Sequence, residues 1–179
     1  MLRAPFALVS FFCCFCLSTA SVAGAQIPPG CGPIFTANDK LAETPYHAVT
    51  TTSLAGRPQT AETISIGEAT YVLTQGQWTR SPTTPKARLA AEREELRKAK
   101  SYTCTLIGDE TVDGQAATHY RTHLQSATSV SDTDVWIVKA TGLPVKRETD
   151  LTRGGGRGLA LHNAQRFDYA SIRVPPGVK

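Results

Sequence analysis

Four histidines, His47, His119, His123 and His162, are the first residues of this 179-residue chain that could move protons or hold a metal. Only His119 and His123 stand close enough in sequence to share a task. On a helix, four residues apart, they would meet at one ion. The segment that holds them is rich in Thr and Tyr and reads as a strand, where positions i and i+4 lie about 13 Å apart. They therefore read as exposed strand histidines, and no metal site is expected. No Gly-x-Ser-x-Gly elbow is present for a nucleophilic serine. The run Gly154 to Gly158 lacks the Gly-Lys-Ser/Thr ending of a phosphate loop and reads as a flexible connection between strands. Asp132 and Asp134 fall in a polar stretch, Ser126 to Asp134, that reads as a loop. The pattern predicts no catalytic set and no cofactor, so the chain is not read as an enzyme.

Cysteines give a different chemistry. Cys13, Cys14 and Cys16 fall within residues 1–25, which carry one cation, Arg3, an apolar run from about Ala7 to Leu17, and Ala23-Gly24-Ala25. That is the anatomy of an export signal cleaved near Ala25. The apolar run is shorter than the roughly 20 residues a membrane-spanning helix needs, so no stable span is expected in the mature form. Phe11 and Phe12 stand where small residues should precede a lipidated cysteine. The expectation is a periplasmic or secreted chain, residues 26–179, folding as a single domain. Of five cysteines, Cys31 and Cys104 remain, and in an oxidising compartment they are expected to form one disulfide.

Charge excludes one class of partner. The chain has 19 Lys and Arg against 15 Asp and Glu; removing Arg3 leaves 18 against 15, a mature net charge of +3. The cations are dispersed, without the basic stripe and interleaved aromatics of a nucleic-acid binder.

These residues must be positioned by short strands and two helices. Pro28, Pro29 and Pro33 make 26–33 an extended lead-in, and Ile34 to Thr44 suits a short helix stopped by Pro45. Tyr46 to Leu54 reads as a strand. A meander follows over Ala61 to Ile66, Ala69 to Thr74 and Gln77 to Arg80, alternating with period 2. Thr84 suits a helix N-cap and Pro85 the first helical position of a charged helix to about Lys100, with Glu94 and Lys98 spaced for an ion pair. A second meander spans Tyr102 to Glu110, Ala116 to Gln125, Val135 to Lys139 and Leu143 to Leu151. Its first turn is Asp113-Gly114, a pair favoured where both central residues need positive φ. Leu159 to Ile172 reads as a last strand, and Val174 to Gly177 as a frayed tail. The fold class is α+β, a strongly curved antiparallel sheet or incomplete β-barrel with two main helices against its concave side.

The apolar and aromatic strand residues Ile64, Ile66, Tyr71, Leu73, Trp78, Tyr120, Leu124, Trp136 and Phe167 form either an ordinary core or, in part, the lining of a cavity.

The order of elements also resembles a known family. Thr44-Pro45-Tyr46-His47 opens the first strand, and Tyr71 and Trp78 mark an aromatic meander. Val112-Asp113-Gly114 leads into Ala117-Thr118-His119-Tyr120. Asp134-Val135-Trp136-Ile137 and Thr141-Gly142-Leu143-Pro144-Val145-Lys146 follow. Together, from about Ile34 to Tyr169, these resemble the periplasmic lipoprotein-carrier superfamily, the LolA/LolB-like fold. The resemblance implies a half-barrel covered by helices and a non-enzymatic role, binding a lipid or lipoprotein acyl chain on an apolar concave surface. The candidate ligand-binding residues are then Ile64, Ile66, Tyr71, Leu73, Trp78, Tyr120 and Trp136. The alternative is an envelope protein-interaction module with a filled core and no small-molecule ligand. The family's functional arginine has no evident counterpart in the sequence.

Overall fold

The computed structural model describes residues 27–154 and 158–178. The expected export signal, 1–25, and residues 155–157 of the glycine run lie outside the described residues. Among the described residues two helices, α1 (Gly32–Glu43) and α2 (Pro85–Lys98), accompany nine strands. The strands are β1 (Tyr46–Leu54), β2 (Arg57–Ile66), β3 (Ala69–Thr74), β4 (Gln77–Arg80), β5 (Ser101–Val112), β6 (Gln115–Gln125), β7 (Ser129–Val138), β8 (Pro144–Arg153) and β9 (Leu159–Asp168).

All nine form one curved antiparallel sheet in the order β4-β3-β2-β1-β9-β8-β7-β6-β5. The two meanders meet in the middle, where β1 pairs with β9, Ala48 opposite Phe167. The strands β4 and β5 are its two edges, so the barrel is open. This is the architecture that the resemblance implied.

Local signals explain most of the turns. Asp113 and Gly114 have φ of 51° and 78°, the two positive values that a two-residue hairpin of this hand needs. The hydroxyl of Thr84 accepts the backbone N–H of Ala87 at 3.1 Å and caps α2. The chain leaves the sheet at one edge, β4, and re-enters at the other, β5, and α2 is the crossover between them.

The face under the helices holds two small cores. Ile34 and Ala37 of α1 pack on Val135 and Ile137 of β7, with Cys104 and Tyr120 beside them. Leu41 packs on Tyr46, Ala48 and Phe167. The disulfide joins Cys31, at the start of α1, to Cys104 of β5, as expected, with Cα atoms 5.1 Å apart. The outer face has its own core of Ala117, Trp136, Val138 and Val145.

Three expectations fail. Most of Ser126 to Asp134 is strand: β7 begins at Ser129 and pairs along its length with β6 and β8. It lacks a hydrophobic period because Asp132 and Asp134 meet histidines on one side while Ser131 and Thr133 border a cavity on the other. Next, β9 ends at Asp168, and Pro175 in the expected frayed tail is buried. That tail, with His47, Ile64 and Trp78, walls an outer-face pocket of about 310 Å³. Finally, His119 is buried, at 6% exposure, where an exposed strand histidine was expected.

Candidate functional site

α2 crosses the sheet without packing into it. Of its fourteen residues only Pro85 is buried. α1, by contrast, buries Ile34, Ala37, Leu41 and Ala42, and each large aliphatic side chain fully removed from water contributes roughly 1.5–3 kcal/mol. The ties of α2 are polar: Arg93 to Asp39, Lys86 to Glu43 at 3.7 Å, and the guanidinium of Arg88 donating to the Tyr46 hydroxyl at 2.7 Å. The first two are exposed ion pairs, worth about 0–1 kcal/mol each. The sequence makes this so: PKARLAAEREELRK offers only Leu89 and Leu96, seven apart, for an apolar seam.

What the helix leaves beneath it is a cavity of about 450 Å³ over β5–β8. Its exposed lining is mostly apolar, supplied by Ile34, Leu96, Tyr102, Leu124 and Val135. Threonines and serine of the same strand face, Thr122, Ser131, Thr133 and Thr149, complete the floor. Two further hollows flank the cavity and share part of its wall. Toward β1 and β9 it adjoins a space of about 240 Å³ bordered by Tyr46, Leu89 and Phe167, with Asn38, Arg88, Glu92 and Arg147 common to the two. Toward the N-terminal strap it adjoins one of about 420 Å³ bordered by Ile27, Pro28 and Phe35, with Leu96 and Tyr102 common.

Two cations, Arg88 and Arg147, border the central cavity, while Arg93 and Arg97 border the hollow toward the strap. Arg147 of β8 donates to the side-chain oxygen of Asn38 at 2.9 Å, and its guanidinium sits 5.9 Å from the centre of the Phe167 ring. Arg88 of α2 enters from above. Burial opposes the Arg88 charge, but Tyr46 and Glu92 outweigh that and hold its pKa above the ordinary value. Burial pushes the Tyr102 hydroxyl above its usual range, so Tyr102 lines the cavity as a neutral phenol.

The seven residues expected to bind a ligand divide between the two faces. Tyr120 alone lies on the helix-covered side, packed against the α1 core. Ile64 stands opposite Tyr71 and His47, and Leu73 opposite Trp78, on the other face. Ile66 shares that face by alternation, and Trp136 lies there in the core around Ala117. Only Ile64 and Trp78 of the group border a common pocket, the one closed by the tail. None of the seven borders the cavity under α2.

A second constellation occupies the outer face. His119 stands between two carboxylates, Nδ1 at 2.8 Å from Glu110 Oε1 and Nε2 at 2.6 Å from Asp134 Oδ1. The indole N–H of Trp136 donates to Glu110 at 2.8 Å, Arg121 grips Asp134 with two bonds of 3.0 Å, and Lys146 lies 4.2 Å above the Trp136 ring. Glu110 is held below its ordinary pKa by the Trp136 and His119 hydrogen bonds. Burial raises Asp134, but Arg121 and His119 outweigh it and bring it below the usual value. This network locks a tryptophan to a sheet. Among the described residues no group of His, Cys, Asp or Glu is placed to hold a metal.

The residues missed were Arg88, Leu96, Tyr102 and Arg147 on the cavity wall. One signal was available. Trp136 shares its strand face with Asp132 and Asp134, so the opposite face, Thr133-Val135-Ile137, is the one free of charge.

No protein-family model matches the chain, and no curated protein matches it. Among solved structures it is similar to the Mycobacterium tuberculosis lipoprotein LppX, at 13% identity and a TM-score of 0.49 over 84% of this chain and 100% of that one. LprF from Mycobacterium bovis matches at 9% identity and 0.43, over 82% and 96%. MucB, in the Pseudomonas aeruginosa MucA/MucB complex, matches at 14% identity and 0.47, over 79% of this chain and 58% of that one. At these identities and scores the likeness transfers no ligand, partner or activity. Among the described residues no helix is long and apolar enough to cross a membrane.

Proposed function

We propose that residues 26–179 form an exported, single-domain, non-enzymatic binding protein that takes up a lipid or a lipoprotein acyl chain beneath α2, in the periplasm or outside the cell. One observation carries this: a mostly apolar cavity of about 450 Å³ roofed by a helix with a single buried residue. A helix held by exposed ion pairs can move aside at small cost in free energy, and an alkyl chain entering below it removes apolar surface of both from water. The seven residues first singled out give way to Ile34, Leu96, Tyr102, Leu124 and Val135 as the chain-binding surface. The competing reading, an envelope interaction module, draws on Leu106 and Ile107, exposed at 61% and 48% beside the bulge of edge strand β5, where a partner strand could add.

Native mass spectrometry of the protein purified from the exporting cell tests the proposal. Bound lipid, and uptake of a fluorescent acyl probe by lipid-stripped protein, are the expected results. Protein that arrives ligand-free and takes up no probe sinks it.

A further inference from the structure

We infer that the cavity selects amphiphiles with an anionic head group, and that Arg88 and Arg147 together are the head-group site. The inference rests on the acyl-binding reading above and adds the chemical class of the ligand.

Other arginines show what these two lack. Arg93 pairs with Asp39, Arg97 with Glu94, Arg121 with Asp134 and Arg166 with Asp113. All four are exposed, where a carboxylate partner matters least. Arg88 and Arg147 are half-buried, yet each has a neutral hydrogen-bond partner, the Tyr46 hydroxyl and the Asn38 amide. Among the described residues neither forms an ion pair. Glu92 and Glu95 also border the cavity, from exposed positions on α2, but neither bonds to these guanidiniums. A guanidinium carries five donors, so most of those on both residues are uncommitted. With no carboxylate bonded to either guanidinium, their free donors are available to an arriving anion.

Position makes the pair a site. Arg88 descends from α2 and Arg147 rises from β8, and both border the central cavity and the adjoining space toward Phe167. The fork of an arginine matches the two oxygens of a carboxylate or a phosphate. An anion held there leaves an alkyl chain to run past Val135 and Leu124 to Leu96 and Tyr102, and on toward Phe35 and Ile27. Head-group site and apolar path thus border the same central cavity. Because one arginine belongs to the roof and the other to the floor, an anion between them also draws α2 down over its own tail.

Three ligands of equal chain length test this on the purified protein: hexadecanoate, hexadecyl phosphate and hexadecan-1-ol, each displacing a neutral fluorescent acyl probe. At least one of the two anions is expected to bind about tenfold tighter than the alcohol, the scale of one charge-assisted head-group contact. Which anion leads tells a fatty acid from a phospholipid-like ligand. In the R88Q/R147Q variant the ratio of each anion's affinity to that of the alcohol, measured in the same variant, should fall to about one. An alcohol that binds as tightly as both anions to the unaltered protein overturns head-group selection and leaves acyl binding standing. No binding by any of the three overturns both. An anion preference that survives in R88Q/R147Q removes the assignment to these arginines.

Discussion

The imidazole of His119 lies flat on the indole of Trp136, with ring centres 4.3 Å apart and planes 17° from parallel. The two residues are directly opposite on β6 and β7, so the stack is a cross-strand pair. Lys146 covers the other side of the indole, and Glu110 takes a hydrogen bond from each ring. An aromatic residue so enclosed behaves as core, although it sits on the outer face. Trp136→Ala should therefore destabilise the protein by about 3–5 kcal/mol in chemical denaturation. A loss below about 1 kcal/mol would show that the stack is peripheral to folding.

The same cluster sets an acid limit. Asp134 and Glu110 titrate below their ordinary values in the folded chain. Folding therefore holds both deprotonated. Their contribution is complete above the ordinary carboxylate range, about pH 4, and is lost as pH falls through the lower folded values. Unfolding midpoints measured from pH 6 to pH 2 should decline below about pH 4. Asp134→Asn should decline less steeply, because one of the two groups no longer titrates, and should start about 1–3 kcal/mol lower at neutral pH because Arg121 and His119 lose the charge and one oxygen of their acceptor. Parallel profiles for the two proteins would contradict this.

Cys31 and Cys104, 73 residues apart, are bonded. Without reductant the denatured protein should react with no thiol reagent at these positions. Reduction should cost on the order of 4 kcal/mol, the loop-closure value for this separation. Gly30, at φ 80°, has the carbonyl oxygen of Cys104 3.0 Å from where a Cβ would stand, so the strap tolerates no side chain there without shifting. Two titratable thiols per folded chain would refute the bond.

Filling the cavity separates packing from binding. Leu124 lies on the cavity floor and is only half-buried. Leu124→Trp should abolish acyl-probe uptake while moving the unfolding midpoint by no more than about 1 kcal/mol, since the added ring occupies existing space rather than displacing packed atoms. Full uptake by this variant would place the ligand elsewhere, with the tail-closed pocket at Trp78 the next to test.

The sequence carried the scaffold well and the site poorly, for one physical reason. Asp113-Gly114, Thr84-Pro85 and the pair Cys31 and Cys104 each act locally or by simple pairing, and each is where it was expected. Period-2 alternation shows that a strand has two faces. It does not say which face the helices cover. On β2 and β3 apolarity points the wrong way: Ser65 and Thr70 are buried at 2% and 7%, while Ile64, Tyr71 and Leu73 on the opposite face are half-exposed. The outer face hides its apolar residues under a tail and a hydrogen-bonded tryptophan rather than under helices, and neither cover has a periodic signature. Arg88 and Arg147 were invisible for a related reason. One sits in a helix that reads as solvated, the other among alternating charges, and only the crossover path of α2 brings them together.

That path has a covalent side as well. Cys31 precedes α2 and Cys104 follows it, so the disulfide closes the chain into a ring in which the crossing helix is one arc. A protease that cuts within α2 opens the arc without releasing a fragment. The two halves remain tethered through sulfur and paired through β1 and β9. Any single cut between the two cysteines leaves one molecule, and a cut in the roof does so with the strands of the floor unbroken.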